Sequence, residues 1–561
     1  MSNKIKYSSN QLAKYIADAP GIVKNYIQSL EKQVGNLANI GLALSKEKNM
    51  SKLLEMILIE AKRIANSDGG TLYMMTDDNR LRFEIMMTDS LKFHMGGTSG
   101  KDIPFYPVKL YNEEGNQNKS MIAAYVALTG ETVNIPDAYK AKGFDFSGTK
   151  MFDEKTGYHS QSFLTVPLKN HEDEIIGVLQ LLNAQTQNSK NIIAFTSDIQ
   201  EMVEALASQA AVAITNKNLI KDLEALFESF IKLIASAIDA KSPYTGGHCA
   251  RVPEITILLA KAVQNTIDGP FADISFTDKE MYELKIAAWL HDCGKVATPE
   301  FVVDKSTKLE TIYDRVNEVE TRFASLKRDA QIKLLKRELK VERDKSISKE
   351  EKSIKIKTLK SEYLKKLREL KSDLEFIKES NIGGEFMSGD KKDRVHTISN
   401  YRWKPNGKMK NFLSEDEVYN LTIPRGTLTA EERKVINDHI VVTINMLEEL
   451  PYPKHLKNVP EFAGGHHEKL DGTGYPKGLT KDEMSVQARI MAIADIFEAL
   501  TAKDRPYKKG KTLSQAMRIL GFMKNDAHID VDLFDIFVRD KIYLKYAEDY
   551  LDPDQIDEVQ I

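Results

Sequence analysis

The sequence predicts an α+β, multidomain chain: a mixed helix-and-strand sensor unit, a long joining helix, and a unit with dense histidine motifs and an inserted helical hairpin. Three observations predict it. The chain has 561 residues, enough for more than one domain at roughly 100–200 residues each. Short strand-like runs separated by turn-rich loops fill about 52–182. Further along, apolar residues spaced three and four apart persist over several helical turns, broken by polar or proline-containing turns.

Composition narrows the function classes. The chain is 42% hydrophobic and 29% charged, with 79 Lys plus Arg against 82 Asp plus Glu and a net charge of -3. That balance argues against a general binder of nucleic acid polymers or membrane surfaces. No run of 18 apolar residues occurs, so no membrane span is expected. The opening MSNKIKYSSNQLAKYI lacks the apolar core of a secretory signal. Cys249 and Cys293 are the only cysteines, which excludes a disulfide scaffold and suits a reducing cytoplasm. The expected location is cytoplasmic.

Residues 1–47 form an N-terminal helical segment. Val23, Ile27, Leu30, Val34, Leu37 and Leu44 make one face, either packed on its own domain or paired with a twin. Residues 48–196 form the sensor. A helical start, LLEMILIEAKRIA, gives way to the strand-like runs GTLYMMT, RLRFEIMMT, ETVNI, SFLTVPLKN and EIIGVLQLLNA. Stretches such as HMGGTSG and FDFSGTK read as loops. Residues 197–241 form a connecting helix with Val203, Leu206, Ala210, Ala213, Ile220, Leu223, Phe227, Phe230 and Ile234 on one side, broken at Ser242-Pro243. Such a helix suits a homodimer, with the N-terminal helix contributing.

Residues 242–561 hold the chemistry, with an insertion at about 305–423. In the insertion, Ile312, Val316, Val319, Phe323, Leu326 and Ala330 alternate by four and three. After the polar turn RDKSISKEEK, Ile356, Leu359, Tyr363, Leu367, Leu370, Leu374 and Ile377 repeat the style. Two such helices make an antiparallel hairpin. Its interspersed charges read as a solvated face, open to a protein partner.

Around the insertion lie YTGGHCARV with His248, WLHDCGKVATPE with His291 and Asp292, INDHIVVTI with His439, and GGHHEKLDGTGYPKGL with His466 and His467. Asp495 lies within the apolar run MAIADIFEAL. A buried carboxylate needs a compensating charge, and neutral imidazoles mixed with carboxylates suit Fe, Mn, Zn or Ni.

Two family resemblances rest on these residues. NIPDAY, KTGYHSQSFLTVPL and IIGVLQLLNA resemble the GAF family, in wording most like the GAF domains of cyclic-nucleotide phosphodiesterases and cyclases. The resemblance implies a small-molecule or cyclic-nucleotide ligand, or a GAF fold used for dimerisation. HDCGK together with HHEKLDGTGYP resembles the HD-GYP family of HD phosphohydrolases, from about Tyr244 to Lys509.

The second resemblance implies an all-α domain that hydrolyses cyclic di-GMP, with the hybrid cyclic GMP-AMP or a non-catalytic binding role as alternatives. It implies two divalent metal ions, Fe or Mn ahead of Zn or Ni, held by His248, His291, Asp292, His439, His466, His467 and Asp495. Asp292 would bridge the metals, and Tyr244 stands where some members place a third-metal glutamate. Lys295 would act beside Asp292 in catalysis. Tyr475, Arg505 and Lys508 would contact the substrate.

Overall fold

In the computed structural model, residues 21–186, 189–241, 247–503 and 510–560 are described. They fall into two compact units, 1–225 and 226–561.

The first unit is built on an antiparallel sheet. Helix α1 (Gly21–Lys46) and α2 (Met50–Ala65) precede β1 (Ser67–Met75), β2 (Arg80–Thr88), β3 (Phe93–Gly96) and β4 (Val108–Lys109). Helix α3 (Ile122–Thr129), β5 (Val133–Ile135), α4 (Ser147–Thr156), β6 (Phe163–Lys169), β7 (Ile175–Gln185) and β8 (Ile192–Ile193) follow. The sheet runs β3-β2-β1-β7-β6-β5, with β4 on β2 and β8 on β7.

Period-two alternation splits the core between the two faces of the sheet. Leu72, Leu164, Val166, Leu179 and Leu181 pack with Ile40 and Leu44 of α1 and with Ile57 and Leu58 of α2. Tyr73, Phe163 and Val178 pack with Ala124 and Val126 of α3. The end of α1 therefore packs on its own domain. All five strand-like runs are strands. Of the expected loops, His94–Gly96 lies in β3, and Ser147–Lys150 opens α4.

Helix α5 (Ser197–Lys241) spans the residues of the expected connecting helix. Val203, Leu206, Ala210 and Ile214 are buried with the sheet unit, and Ile231, Ala235 and Ile238 in the second unit's core. Ile220, Leu223, Phe230 and Ile234, expected on one side with Val203, Leu206 and Ala210, are exposed. Apolar residues lie all round this helix, so spacing alone did not fix which stripe packs.

The second unit is predominantly helical. Its core gathers α6 (His248–Gln264), α7 (Asp278–Leu290), α15 (Val459–Gly464), α16 (Val486–Thr501), α17 (Leu513–Asn525), α18 (Val531–Arg539) and α19 (Ile542–Tyr550) around Val252, Leu284, Phe462, Phe497 and Phe537. The insertion follows the short α8 (Glu300–Val303). Helices α9 (Val316–Arg343) and α10 (Lys349–Ile382) are the expected hairpin, and Ser348 and Glu351 form a capping box at the start of α10. Ile312 lies outside α9 and is exposed.

The insertion is more than a hairpin. Helix α11 (Gly389–Ser399), the β9–β10 pair (Arg402–Trp403, Lys410–Asn411) and α12 (Glu415–Leu421) close a separate core. In it Val319, Phe323, Leu370, Ile377, Val395, Phe412 and Leu421 pack together. The chain then re-enters the helical unit through α13 (Ala430–Asn437) and α14 (His439–Glu448).

Candidate metal centre

Each candidate ligand sits at a helix end or inside a packed helix. His248 opens α6, His291 follows the last residue of α7, and His439 opens α14. His466 and His467 follow α15, and Asp495 lies mid-way along α16. Gly294 allows the HDCGK turn to lie flush on α14: a Cβ there would fall 2.0 Å from His439 O. Its N–H instead donates to Thr443 Oγ1 at 2.9 Å.

These side chains converge. His248 Nε2 lies 3.2 Å from both Asp292 Oδ2 and Asp495 Oδ1. His291 Nε2 lies 3.3 Å from Asp292 Oδ2, 3.7 Å from Asp495 Oδ1 and 3.3 Å from His248 Nε2. His439 Nε2 lies 3.3 Å from Asp292 Oδ1. Three overlapping groups have ligand atoms within 4.8 Å of one another: His248, His291 and Asp495; His291, Asp292 and His466; and His439, His466 and His467. Together they contain all seven expected positions.

The protonation pattern suits a metal. Nδ1 of His291 donates to Ala288 O at 2.7 Å, and Nδ1 of His466 to Ala463 O at 2.6 Å. His439 Nδ1 donates to Ile436 O, and His248 Nδ1 pairs with Glu498 Oε2. In the neutral ring, an Nδ1–H held in this way leaves the Nε2 lone pair facing the centre, as metal-ligating histidines require. Buried His439 Nε2, His466 Nε2 and Asp292 Oδ1 have no hydrogen-bond partner. The 3.3 Å approach of His439 to Asp292 therefore lacks hydrogen-bond geometry. Convergent, unsatisfied nitrogen and oxygen donors fit a divalent cation of the Fe, Mn, Zn or Ni type.

Charge in the centre is divided. Burial opposes a proton on His248, but Glu498, Asp292 and Asp495 raise its pKa well above the usual range. His291 responds to the same opposition of burial and Asp292, and rises to about 9. Burial and the neighbouring His467 and His291 push His466 well down, and burial brings His467 down to about 4. Burial works against the Asp292 charge, yet Lys295 and His291 hold that carboxyl well below its ordinary value.

The remaining predicted residues separate. Lys295 Nζ donates to Asp292 Oδ2 at 2.5 Å, on the rim of the centre. Tyr475 stacks on His467, with ring centroids 4.9 Å apart. Arg505, Lys508 and Tyr244 lie outside the described residues.

The structure adds residues that sequence reasoning missed. Glu498 accepts from both His248 Nδ1 and Arg251 Nε, the latter at 2.6 Å. The signal was present: Glu498 is one helical turn after Asp495 and shares its face. Glu468, buried, accepts from Lys477 N at 2.7 Å and Leu479 N at 2.9 Å and so shapes the GYP turn.

Comparison with known proteins follows the same division. A family model for the GAF domain matches residues 49–214, and one for the HD domain matches residues 415–533. This chain is a GAF and HD domain protein. The HD match of this GAF–HD chain begins near the end of the insertion, so HDCGK precedes it.

A 3'3'-cGAMP-specific phosphodiesterase 3 of Vibrio cholerae is 39% identical over 19% of the GAF–HD chain and 22% of its own length. A cyclic di-GMP phosphodiesterase of Thermotoga maritima is 39% identical over 17% and 25%. The chain thus spans a quarter or less of these relatives. The GAF domain of an Acinetobacter phosphoenolpyruvate-protein phosphotransferase aligns over 34% of the chain and 98% of its own, with 16% identity and a TM-score of 0.25. No helix among the described residues is long and apolar enough to cross a membrane.

Proposed function

We propose that the chain is a metal-dependent phosphodiesterase that opens cyclic di-GMP to linear pGpG, with a further cut to GMP, under control of its GAF domain. The observation that carries this reading is the set of four imidazoles tethered at Nδ1 around two buried carboxylates. His248, His291, His439, His466, His467, Asp292 and Asp495 would hold two divalent ions, with Asp292 between them. Such ions supply Lewis acidity at an anionic phosphodiester and make a nucleophile available near neutral pH.

The chain's own groups do the rest. Asp292 stays ionised, and Lys295 beside it places a positive charge where phosphoryl charge develops. Tyr475, half-buried against His467, walls the pocket and orients the ligand. Arg505 and Lys508 would grip the phosphodiester from the adjoining segment. The hybrid cyclic GMP-AMP is a second reading, favoured by the name of the Vibrio relative.

The chain works as a homodimer in this reading. Leu219, Leu223, Leu226, Phe230 and Leu233 of α5 are exposed in the four-three spacing of a helix seam. The GAF domain takes a small molecule or cyclic nucleotide.

The test is turnover of both cyclic dinucleotides by the full chain purified anaerobically, with metal measured on the same sample. Linear product with about two ions per chain is expected. A fully metallated protein that leaves both substrates intact would overturn the catalytic reading.

A further inference from the structure

The point where the insertion leaves the helical unit is also the point where it returns. Lys305 follows α8, ten residues beyond the HDCGK motif, and its side chain is fully buried. Its ammonium has three donors and three acceptors: Asn420 Oδ1 at 2.9 Å and both oxygens of Glu432 at 2.8 Å. The backbone joins in, because Thr427 Oγ1 donates to Lys305 O at 3.0 Å. Asn420 belongs to α12, the last helix of the insertion.

Glu432 sits in the first turn of α13, where Thr429 N donates to it at 2.8 Å in a capping box. The same short helix supplies Ile436 O, which accepts from His439 Nδ1 and sets that ring against Asp292. A physical chain therefore runs from Lys305 through Glu432 and α13 to His439, all within one compact unit.

We infer that Lys305 and Glu432 are positioning residues: their ion pair, buried on the lysine side, clamps the root of the insertion and registers His439 opposite Asp292 for metal binding. The clamp, not the length of the hairpin beyond it, sets that register. This rests on the metal-centre reading given above.

The experiment compares metal per chain and apparent metal affinity for wild type, Lys305→Met, Glu432→Gln, and a chain whose distal hairpin (residues 337–362, whose two ends face each other) is replaced by a short turn. Helix content by circular dichroism is measured on the same samples. The expected result is that both clamp variants keep wild-type helix content yet bind metal at least tenfold more weakly, with stoichiometry falling from two towards one. The shortened hairpin should load as wild type does.

Folded clamp variants with wild-type loading would overturn the inference, as would loss of metal on shortening the hairpin alone. If Lys305→Met does not fold, the isosteric Glu432→Gln decides. A wild-type chain that binds no metal would instead overturn the metal-centre reading.

Discussion

The Asp153, Asp68 and Asn183 clusters of the sheet unit and the histidine centre of the helical unit both bury polar groups, and they treat them in opposite ways. In the sheet unit Asp153 accepts from Ser160 N at 2.8 Å, Ser160 Oγ at 2.7 Å and Tyr139 OH at 2.7 Å. Asp68 accepts from Ser90 Oγ and Tyr158 OH, and Asn183 from Gln161 N and Ser162 N. Their polar capacity is used on their own chain. In the helical unit His439 Nε2, His466 Nε2 and Asp292 Oδ1 face one another without partners. An unsatisfied buried polar atom costs about 1–3 kcal/mol, so several in one place mark a centre shaped for something beyond the chain. Full satisfaction marks structure, and converging deficiency marks a ligand.

The sharpest way to break that comparison is Asp292→Ala. It should abolish metal retention, read by plasma emission spectrometry, and lower turnover by on the order of 10³-fold or more. Retained metal and activity would remove Asp292 from the centre. Asp153→Ala should do the reverse, costing about 2–3 kcal/mol by denaturant unfolding with metal per chain unchanged. A change in metal content there would erase the distinction between the units.

Glu498→Gln keeps shape but removes the charge that steadies His248, so metal affinity should fall by about tenfold or somewhat more. Competition with a chelator measures it. The smallest effect is expected at the exposed Arg337–Glu362 pair of the hairpin, 2.8 Å apart. Arg337→Ala should shift stability by at most about 0.5 kcal/mol, and a larger loss would mean that the hairpin surface is not simply solvated.

Much of this was legible in the sequence, because contiguous motifs encode local geometry. HDCGK and HHEKLDGTGYP are unbroken runs, and each places its ligands on a single turn. The central strand runs are almost continuously apolar because one sheet face meets α2 and the other α3, and that composition is local too. What escaped was non-local. Lys305 and Glu432 are far apart in the chain, and nothing in either neighbourhood announces the other. Glu498 was within reach by helical register from Asp495, but its acceptor role depends on His248, which arrives from another helix. Which apolar stripe of α5 packs on its own chain could not be read, because its apolar residues surround the helix.

The separate core of the insertion bears on how the protein is made. Asp292 and His439 are 147 residues apart in the chain, so at roughly 5–20 residues per second the ribosome delivers the second about 7–30 s after the first. During that interval the early half of the centre has its carboxylate but not all of its imidazoles. Joining distant segments costs entropy that grows with the logarithm of the intervening length. The insertion has its own core around Phe323, Phe412 and Ile377 and holds its two ends together at Lys305 and Thr427, so in the folded chain the long connection behaves as a short one. Completing the proposed centre then waits on residues made after the insertion, His439, His466, His467 and Asp495.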